Sequence, residues 1–496
     1  MNRSNFFIVL CLSLLLASCH ASAKQNDDRI HVTILHLNDV YEITPVSGGK
    51  EGGLARVATL YKQLKKKNPN TIMTHGGDLF SPSAMGTAKV GGKRLAGKQM
   101  VNVLNSIGLQ YATFGNHEFD IKKEEFYDRM QETRFAWISG NVFDEYGKPY
   151  SGVQPDLILT FPGKVKGDEF KLGIFGVSLT VNRPDFVSYT DPMKTAEKEV
   201  SKLDKASDFV IALTHLAIDE DERLLQQLPA IDLLLGAHEH VNYQRWRGNN
   251  LTPLLKGDAN ARTVYVVDIF HDPKTKKTAV KPSLVKIDET IVEDTEVKAT
   301  VDKWVKIAFD AFRNDGFNPE EVVTTTTKNL DGLEANVRSK QTNLTELVAR
   351  SLLLPYPEAE LSIYNSGSIR IDDMLPVGQI TVYDVIRVLP FVGSVQLVEM
   401  KGSLLKKMLD QGEANIGSGG YLQSANTSKP PGGRWMINDA LLNEQQTYKV
   451  AISDYLTAGK EQNMGFLNPS NPDMKIVKDG QGIDIRQLVI QELRGK

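Results

Sequence analysis

In the first half of this chain, strand-like apolar segments run directly into residues that can ligate a metal ion. The segment Val32 to His36 is followed closely by Asp39, and Thr71 to Thr74 is followed by Asp78. Such residues meet at one edge of a sheet, because sites in open α/β sheets form at the carboxyl ends of their strands. The residues of this kind are Asp39, Asp78, Asn116, His117, His215, His238 and His240. Their oxygen and imidazole donors suit Zn²⁺, Mn²⁺ and Co²⁺.

Each of these residues, taken alone, has a structural explanation. A Gly-Asp pair after a strand is usually a turn, and an Asn-His pair is usually at the surface or caps a core element. Their combination is what predicts a metal centre. His36 and His75 precede the aspartates, and strand alternation turns them away from the ligands, so we interpret them as core residues or as residues that support the ligands without touching a metal.

The same alternation predicts a layered α/β fold. From Ile30 to about Ile287, β-branched runs alternate with stretches of helical periodicity. A chain of 496 residues exceeds one hydrophobic core, since single cores stop growing near ~250–300 residues. Apolar spacing predicts a helix from Thr295 to Phe312. We therefore expect an N-terminal domain at 29–290, a linker helix at 291–320 and a smaller domain at 321–496.

The first residues have the features of an export signal. Arg3 precedes an apolar run from Phe6 to Ala17, which has the length of a signal-peptide core and is too short to span a membrane. No second apolar run of that kind follows, so the body of the protein is expected to be soluble. The alternative to a lipid anchor is ordinary secretion, with cleavage after Ala21 or Ala23.

A lipid anchor is the interpretation we favour. The segment Leu16-Ala17-Ser18-Cys19 resembles the bacterial lipobox, which implies cleavage before Cys19 and lipidation of that residue. This gives a lipoprotein signal peptide at 1–19 and a polar leash at 20–28. The protein is then exported, as a periplasmic or cell-surface lipoprotein. His20 after the cysteine favours the outer membrane, because an Asp there would signal retention at the inner one.

The order of the ligand motifs resembles the calcineurin-like metallophosphoesterases and, within them, the 5′-nucleotidases. The resemblance implies an N-terminal four-layer α/β/β/α metallophosphoesterase domain, joined by a helix to a smaller α+β substrate-binding domain. It implies two divalent metal ions, either Zn, Mn or Co, with Asp78 bridging them. The other implied ligands are Asp39 and His240 at the first site and Asn116, His215 and His238 at the second. The resemblance also implies that the imidazole of His117 stabilises the transition state and that the carboxylate of Asp120 orients this imidazole.

One position departs from the family pattern. Relatives of this kind carry Asp-x-His in the first motif, whereas this chain has Asp39-Val40-Tyr41. A free phenol titrates near ~10, so a tyrosine is a poor ligand near neutral pH unless a metal lowers its pKa. Three possibilities follow for this position. Tyr41 binds the metal as a phenolate, a water molecule replaces the missing histidine ligand, or the first site binds more weakly and prefers another cation. We favour the second or third of these.

The C-terminal half resembles the 5′-nucleotidase C-terminal domain. Phe391 and Tyr455 match the rings that hold a nucleobase between them, although core packing is the alternative for each ring. The remaining matches are Arg338 and Arg370 on the phosphate side and Asn365 at the base or ribose. After Tyr455 the family often has Gly-Gly-Asp-Gly, and here Glu461 is the residue that could replace the Asp.

The resemblance implies a phosphohydrolase that acts on nucleoside 5′-monophosphates through a two-metal-activated hydroxide. Nucleoside di- and triphosphates and UDP-sugars are further implied substrates. The alternatives are a 2′,3′-cyclic-nucleotide phosphodiesterase and a catalytically weakened nucleotide-binding surface lipoprotein. The net charge of −3 gives no support for a nucleic acid polymer as a partner. The sequence leaves the oligomeric state open.

Overall fold

The computed structural model describes residues 28–495. The predicted signal peptide, the leash up to residue 27 and the lipidation site Cys19 lie outside the described residues. Export and anchoring therefore stay predictions. Among the described residues, no helix combines the length and the apolar composition that crossing a membrane requires.

Two large β-sheets form the centre of the N-terminal half. The first has seven strands, in the spatial order Val153–Gln154, Ala136–Ile138, Tyr111–Ala112, Thr71–His75, Ile30–Leu37, Thr263–His271 and Thr278–Lys286. The second has six strands, in the order Asp156–Pro162, Glu169–Ser178, Phe209–His215, Leu233–Gly236, Thr252–Lys256 and Tyr243–Arg247. In both sheets the strands that lead to the predicted ligands are parallel neighbours.

These two sheets pack face to face through one shared hydrophobic core. Val32 and Ile34 of the first sheet and Phe170 and Leu213 of the second are fully buried in this core. The two-residue period of a strand turns every second side chain toward the partner sheet. Because both sheets are fixed to each other in this way, the loops at their edges are held side by side.

Helices cover the outer face of each sheet. In chain order, the α-helices within residues 28–495 are α1 (Leu54–Lys67), α2 (Lys98–Ile107), α3 (Lys123–Glu132), α4 (Pro192–Leu203), α5 (Ile218–Gln227), α6 (Thr295–Asn314), α7 (Glu334–Val337), α8 (Asn343–Ser351), α9 (Val382–Val388), α10 (Gly402–Ala414), α11 (Asp454–Thr457) and α12 (Ile485–Leu493). Apolar residues of α4 and α5 pack on the six-stranded sheet, and those of α1, α2 and α6 belong to the core on the seven-stranded sheet. The layers are helix, sheet, sheet and helix, which confirms the predicted α/β fold.

Helix α6 lies where the linker helix is predicted. The side chain of Asp294 accepts a hydrogen bond from the amide of Val297 at 3.1 Å and caps the start of the helix. The indole of Trp304 donates to Asn102 of α2 at 2.9 Å, so α6 is fastened to the N-terminal domain. The domain limits at 290 and 320 stay a prediction.

The C-terminal half is built on a five-stranded mixed sheet. Its strands follow the order Leu422–Ala425, Leu361–Asn365, Thr447–Ser453, Val395–Lys401 and Met474–Lys478. Helix α10 packs on one face, while α8 and α12 belong to the core on the other. This is the smaller α+β domain that the sequence predicts.

Short strands complete the described structure. The pairs are Pro45–Val46 with Glu51–Gly52, Lys89–Val90 with Lys93–Arg94, Val142–Asp144 with Val187–Tyr189, Val322–Thr326 with Gly378–Thr381, and Leu330–Asp331 with Met374–Leu375. A three-stranded ribbon consists of Thr427–Ser428, Met436–Ile437 and Ala440–Leu441.

Candidate active site

The predicted metal ligands converge on one edge of the paired sheets. Asp39, Asp78 and Asn116 follow three neighbouring parallel strands of the seven-stranded sheet. In the six-stranded sheet, His215 is the last residue of one strand, and His238 comes just after the neighbouring parallel strand. Parallel strands end on the same side, and the shared core aligns the two sheets, so side chains distant in the sequence become neighbours.

The centre of this cluster has the donors and the spacing of a cation site. Ligand atoms of Asp39, Asp78 and His215 all lie within 4.8 Å of one another, and all three residues are buried. His215 Nε2 is 3.4 Å from Asp78 Oδ2 and 3.2 Å from Asn116 Oδ1. Its Nδ1 donates to the carbonyl of Gly76 at 2.8 Å, which leaves the Nε2 lone pair directed at the cluster.

His238 and His240 border this centre. The His238 ring centroid is 5.3 Å from that of His215, and the His238 amide donates to Asp39 Oδ2 at 2.9 Å. His240 Nε2 is 3.7 Å from Asp39 Oδ1. The donor set of carboxylates, imidazoles and an amide fits divalent transition cations.

Four of the predicted ligands have left-handed backbone conformations. The φ angles are 51° for Asp39, 61° for Asp78, 95° for His238 and 61° for His240. Residues other than glycine seldom take positive φ, and such strain concentrates at functional sites. Gly115 is needed for a steric reason, because a Cβ there would lie 2.0 Å from Asp78 Oδ1.

Tyr41 points into this cluster. Its hydroxyl lies 3.1 Å from Asp78 Oδ2, 2.8 Å from His240 Nε2 and 3.5 Å from Asp39 Oδ1. Burial, followed by the charges of Asp78 and Asp39, raises the pKa of the phenol well above its ordinary value. In this structure Tyr41 is therefore a neutral hydroxyl at the place where the family pattern has an imidazole.

His117 and Asp120 form the predicted pair. His117 Nδ1 lies 2.6 Å from Asp120 Oδ2, and the His117 amide donates to Asp78 Oδ1 at 2.8 Å. Burial lowers the pKa of His117, but the carboxylates of Asp120 and Asp78 outweigh it and the net shift is upward. The sequence gives no signal for Asn182, which donates to Asp120 Oδ1 at 2.7 Å and to the carbonyl of Asn116 at 2.8 Å.

Glu118 has a structural task that the sequence does not reveal. Its fully buried carboxylate accepts hydrogen bonds from the amides of Asp78 at 3.0 Å, Leu79 at 2.6 Å and Gly115 at 2.5 Å. Burial and the neighbouring Asp78 raise the pKa of Glu118 to about 7. One side chain thus ties together the loops that carry Asp78 and Asn116. The structure keeps His36 and His75 in the core, where both are fully buried.

A second candidate site adjoins the first. A cavity of about 750 Å³ is lined by Asp120 of the N-terminal domain and by most of the predicted substrate-binding residues. The predicted residues in its lining are Asn365, Arg370, Phe391, Tyr455 and Glu461. Because Asp120 both lines this cavity and contacts His117, the cavity opens beside the metal-ligand cluster.

The exposure of the two aromatic rings decides between binding and core packing. Phe391 is 38% exposed and Tyr455 is 43% exposed, so neither ring is part of a core. The guanidinium carbon of Arg370 is 5.7 Å from the centre of the Phe391 ring. Asn365 Oδ1 accepts a hydrogen bond from Ser368 at 2.8 Å.

Arg338 is not among the lining residues of the cavity. Its guanidinium pairs at 2.6 Å with Glu334, which lies one turn earlier. That Arg338 reaches the phosphate side stays a prediction, since in this arrangement Glu334 holds its guanidinium. The physical reason is local, since a carboxylate four residues before an arginine is its nearest partner on a helical segment.

A buried lysine supports the loop that carries His238 and His240. Lys256 Nζ lies 2.7 Å from Asp221 Oδ2, 2.5 Å from Glu239 Oε2 and 2.8 Å from the carbonyl of Leu216. These three acceptors match the three donors of an ammonium group. Lys256 is 1% exposed, and its strand pairs in parallel with the strand that ends at Gly236. Glu239 is thereby fixed between the two histidines.

Comparison with known protein families gives two matches. Residues 32–242 match the family described as Calcineurin-like phosphoesterase, and residues 322–467 match the 5'-nucleotidase, C-terminal domain. Together the matched ranges cover both halves of the chain and contain all the predicted ligands.

Curated relatives resemble the chain over most of its length. The 5'-nucleotidase of Bos taurus is 26% identical, over 93% of this chain and 88% of the relative. The Trifunctional nucleotide phosphoesterase protein YfkN of Bacillus subtilis is also 26% identical, over 89% of this chain. This chain spans only 32% of that longer relative.

Solved structures share the fold. The 5'-nucleotidase precursor from Thermus thermophilus superposes with a TM-score of 0.75 at 22% identity, covering 94% of this chain and 96% of the other. The sulfate thiohydrolase SoxB reaches a TM-score of 0.67 at 16% identity, with 94% of each chain covered. At these identities the likeness concerns the fold, and a protein whose name describes other chemistry shares it.

Lys256→Met tests the support of the histidine loop. The substitution keeps an unbranched side chain without the ammonium group and leaves Asp221 and Glu239 without their buried counter-charge, so we expect a loss of about 3–5 kcal/mol in the free energy of unfolding. Urea denaturation followed by tryptophan fluorescence measures this loss. Lys171→Met is the matched control, because Lys171 makes an exposed ion pair with Glu169. Equal unfolding midpoints for the two variants would contradict the assignment.

Proposed function

This chain belongs to the 5′-nucleotidase family of calcineurin-like phosphoesterases, and we propose that it hydrolyses the phosphate ester of nucleoside 5′-monophosphates. The observation that carries this proposal is the junction of two sites at one residue. Asp120 holds His117 beside the metal-ligand cluster and also lines the cavity that contains Phe391 and Tyr455. A substrate with an aromatic base at one end and a phosphate at the other spans that junction.

The metal-ligand cluster would hold the cations of the family. The residues that would hold them are Asp39, Asp78, Asn116, His215, His238 and His240. Two divalent cations bound there would polarise a phosphoryl oxygen and supply a hydroxide nucleophile at neutral pH. Backbone amides hold both acidic side chains in place, since the amide of His238 donates to Asp39 Oδ2 and the amide of His117 donates to Asp78 Oδ1.

His117 would act on the phosphoryl group. Asp120 fixes the orientation of its ring through Nδ1, and the upward shift of the His117 pKa favours the protonated imidazole, whose Nε2 can donate a hydrogen bond to a phosphoryl oxygen. Asn182 holds Asp120 from the other side at 2.7 Å. This chain of contacts keeps the imidazole in place while charge develops on the phosphate.

The cavity would bind the nucleoside. Half-exposed rings at Phe391 and Tyr455 offer two aromatic faces to a base, and stacking of this kind contributes ~1–3 kcal/mol per base. Arg370 lies beside Phe391 and carries the planar fork that suits a phosphate. Asn365 and Glu461 line the same cavity and could contact the sugar. The proposal includes nucleoside di- and triphosphates and UDP-sugars as further substrates.

Phosphate release after removal and return of metal ions tests the proposed activity. We expect the chelated full-length chain to be inactive on AMP and to regain activity with Mn²⁺, Co²⁺ or Zn²⁺. Release from 2′,3′-cyclic AMP in preference to AMP would favour the phosphodiesterase. Binding of AMP without phosphate release under every metal ion would favour the nucleotide-binding lipoprotein.

Phe391→Ala and Tyr455→Ala test the nucleoside cavity. Each should raise the KM for AMP by about 5- to 150-fold, the equivalent of ~1–3 kcal/mol, because one stacking face is lost. The KM for a small aryl phosphate should change little. Tyr146→Ala serves as the control, since that ring is 78% exposed and is absent from the cavity lining. Equal losses on both substrates would mean that the rings do not hold the base.

Tyr41→His tests the departure from the family pattern. An imidazole in place of the phenol adds a ligand beside Asp39 and Asp78, so we expect cation binding to tighten by about tenfold or more. Tyr41→Phe removes the hydroxyl without adding a ligand and should not tighten binding. Calorimetric titration with Mn²⁺ compares the three proteins. An unchanged titration for Tyr41→His would show that this position does not contact a cation.

A further inference from the structure

His240 receives a hydrogen-bond partner from the opposite half of the chain. Its Nδ1 lies 2.9 Å from Oδ2 of Asp372, and both side chains are about 10% exposed. Asp372 belongs to the C-terminal half, between the strand Leu361–Asn365 and the short strand Met374–Leu375. A carboxylate can only accept here, so Nδ1 carries a proton, and in the neutral imidazole that a cation binds, Nε2 then carries the lone pair.

The Nε2 atom of His240 faces the metal-ligand cluster. It lies 2.8 Å from the hydroxyl of Tyr41 and 3.7 Å from Asp39 Oδ1. The contact with Asp372 therefore fixes both the direction of the ring and the tautomer that a cation requires. Carboxylates that hold a ligating histidine in this way affect metal affinity strongly, although they never touch the metal.

Asp372 is itself held on several sides. Its Oδ1 accepts a hydrogen bond from the amide of Glu334 at 2.8 Å, and Arg262 of the N-terminal half donates to its carbonyl. Its φ of 37° is in the left-handed region, as are the φ angles of four predicted ligands. Both carboxylate oxygens have partners, so the side chain has little freedom to turn away from His240.

The neighbouring residue Asp373 also contacts the N-terminal half, but it does not contact His240. Its carboxylate accepts hydrogen bonds from the amide of Ser47 at 2.8 Å and from its hydroxyl at 2.9 Å. Arg387 pairs with Asp373 at 3.0 Å within the C-terminal half. The two adjacent aspartates thus divide the contact, because Asp373 joins the two halves and Asp372 contacts a predicted metal ligand.

We propose that Asp372 is a positioning residue for the cation site, acting across the interface between the two halves of the chain. It holds the imidazole of His240 with Nε2 toward Asp39, so the first cation site is complete only while the C-terminal half is seated as in this structure. The inference rests on the proposed function in one respect, the assignment of His240 as a cation ligand.

Measuring Mn²⁺ binding to the full-length chain tests the positioning role of Asp372 without an activity assay. The signal of free Mn²⁺ in electron paramagnetic resonance gives the affinity of each variant. We expect Asp372→Asn to weaken binding by about 10- to 100-fold, the usual effect of losing such a partner. Asp373→Asn, the same change at the same interface, should remain near wild type, because the contacts of Asp372 with Arg262 and His240 still join the two halves. Ser47→Ala replaces this control if Asp373→Asn does not fold, because it removes a contact of the same interface.

A double variant separates positioning from general damage. If Asp372 acts only through His240, then Asp372→Asn combined with His240→Ala should bind Mn²⁺ no more weakly than His240→Ala alone. Additive losses, or equal losses from Asp372→Asn and its control, would overturn the proposal. A wild-type chain that binds no Mn²⁺ would overturn it as well. A failure to hydrolyse AMP with these affinities intact would reject the proposed function and leave the role of Asp372 standing.

Discussion

The burial of negative charge where two sheets meet is the constraint on which the rest of this structure depends. Asp39 and Asp78 are fully buried, and within residues 28–495 their ion-pair partners are the histidines His240 and His215. Carboxylates in such surroundings require compensation, because removing a charge from water costs more than a single weak partner returns. The aspartates follow strands of the seven-stranded sheet and these histidines come from the six-stranded sheet, so the shared core between the sheets is a condition for the site.

Much of the N-terminal fold and its ligand cluster could be predicted from the sequence, for a physical reason. Apolar periodicity marks strands such as Ile30–Leu37, and parallel strands deliver the residues after them to one edge. Asp78 and His215 are therefore foreseeable neighbours. Glu118 and Lys256 are not foreseeable in the same way, because their partners are backbone amides and distant carboxylates that leave no periodic trace in the sequence.

In the C-terminal half, sequence motifs do not determine which side chains face a cavity. A motif suggests that Phe391 and Tyr455 bind a base, but only tertiary structure distinguishes half-exposed rings in a cavity from rings in a core. Arg338 illustrates a different effect, which is local competition for a side chain. The motif suggests a contact with substrate, whereas Glu334 lies close enough along the chain to take the guanidinium first. Local competition of this kind can be found in a sequence once charged neighbours at helical spacing are considered.

Glu118 has a mechanical consequence for the site. Its carboxylate accepts hydrogen bonds from the amides of Asp78, Leu79 and Gly115, and it thereby links two loops that follow adjacent strands. Moving the loops apart would break these hydrogen bonds, so the separation between the Asp78 carboxylate and the Asn116 amide is restrained. The tolerance with which the enzyme holds its reacting groups is set in part by a side chain that takes no part in the reaction.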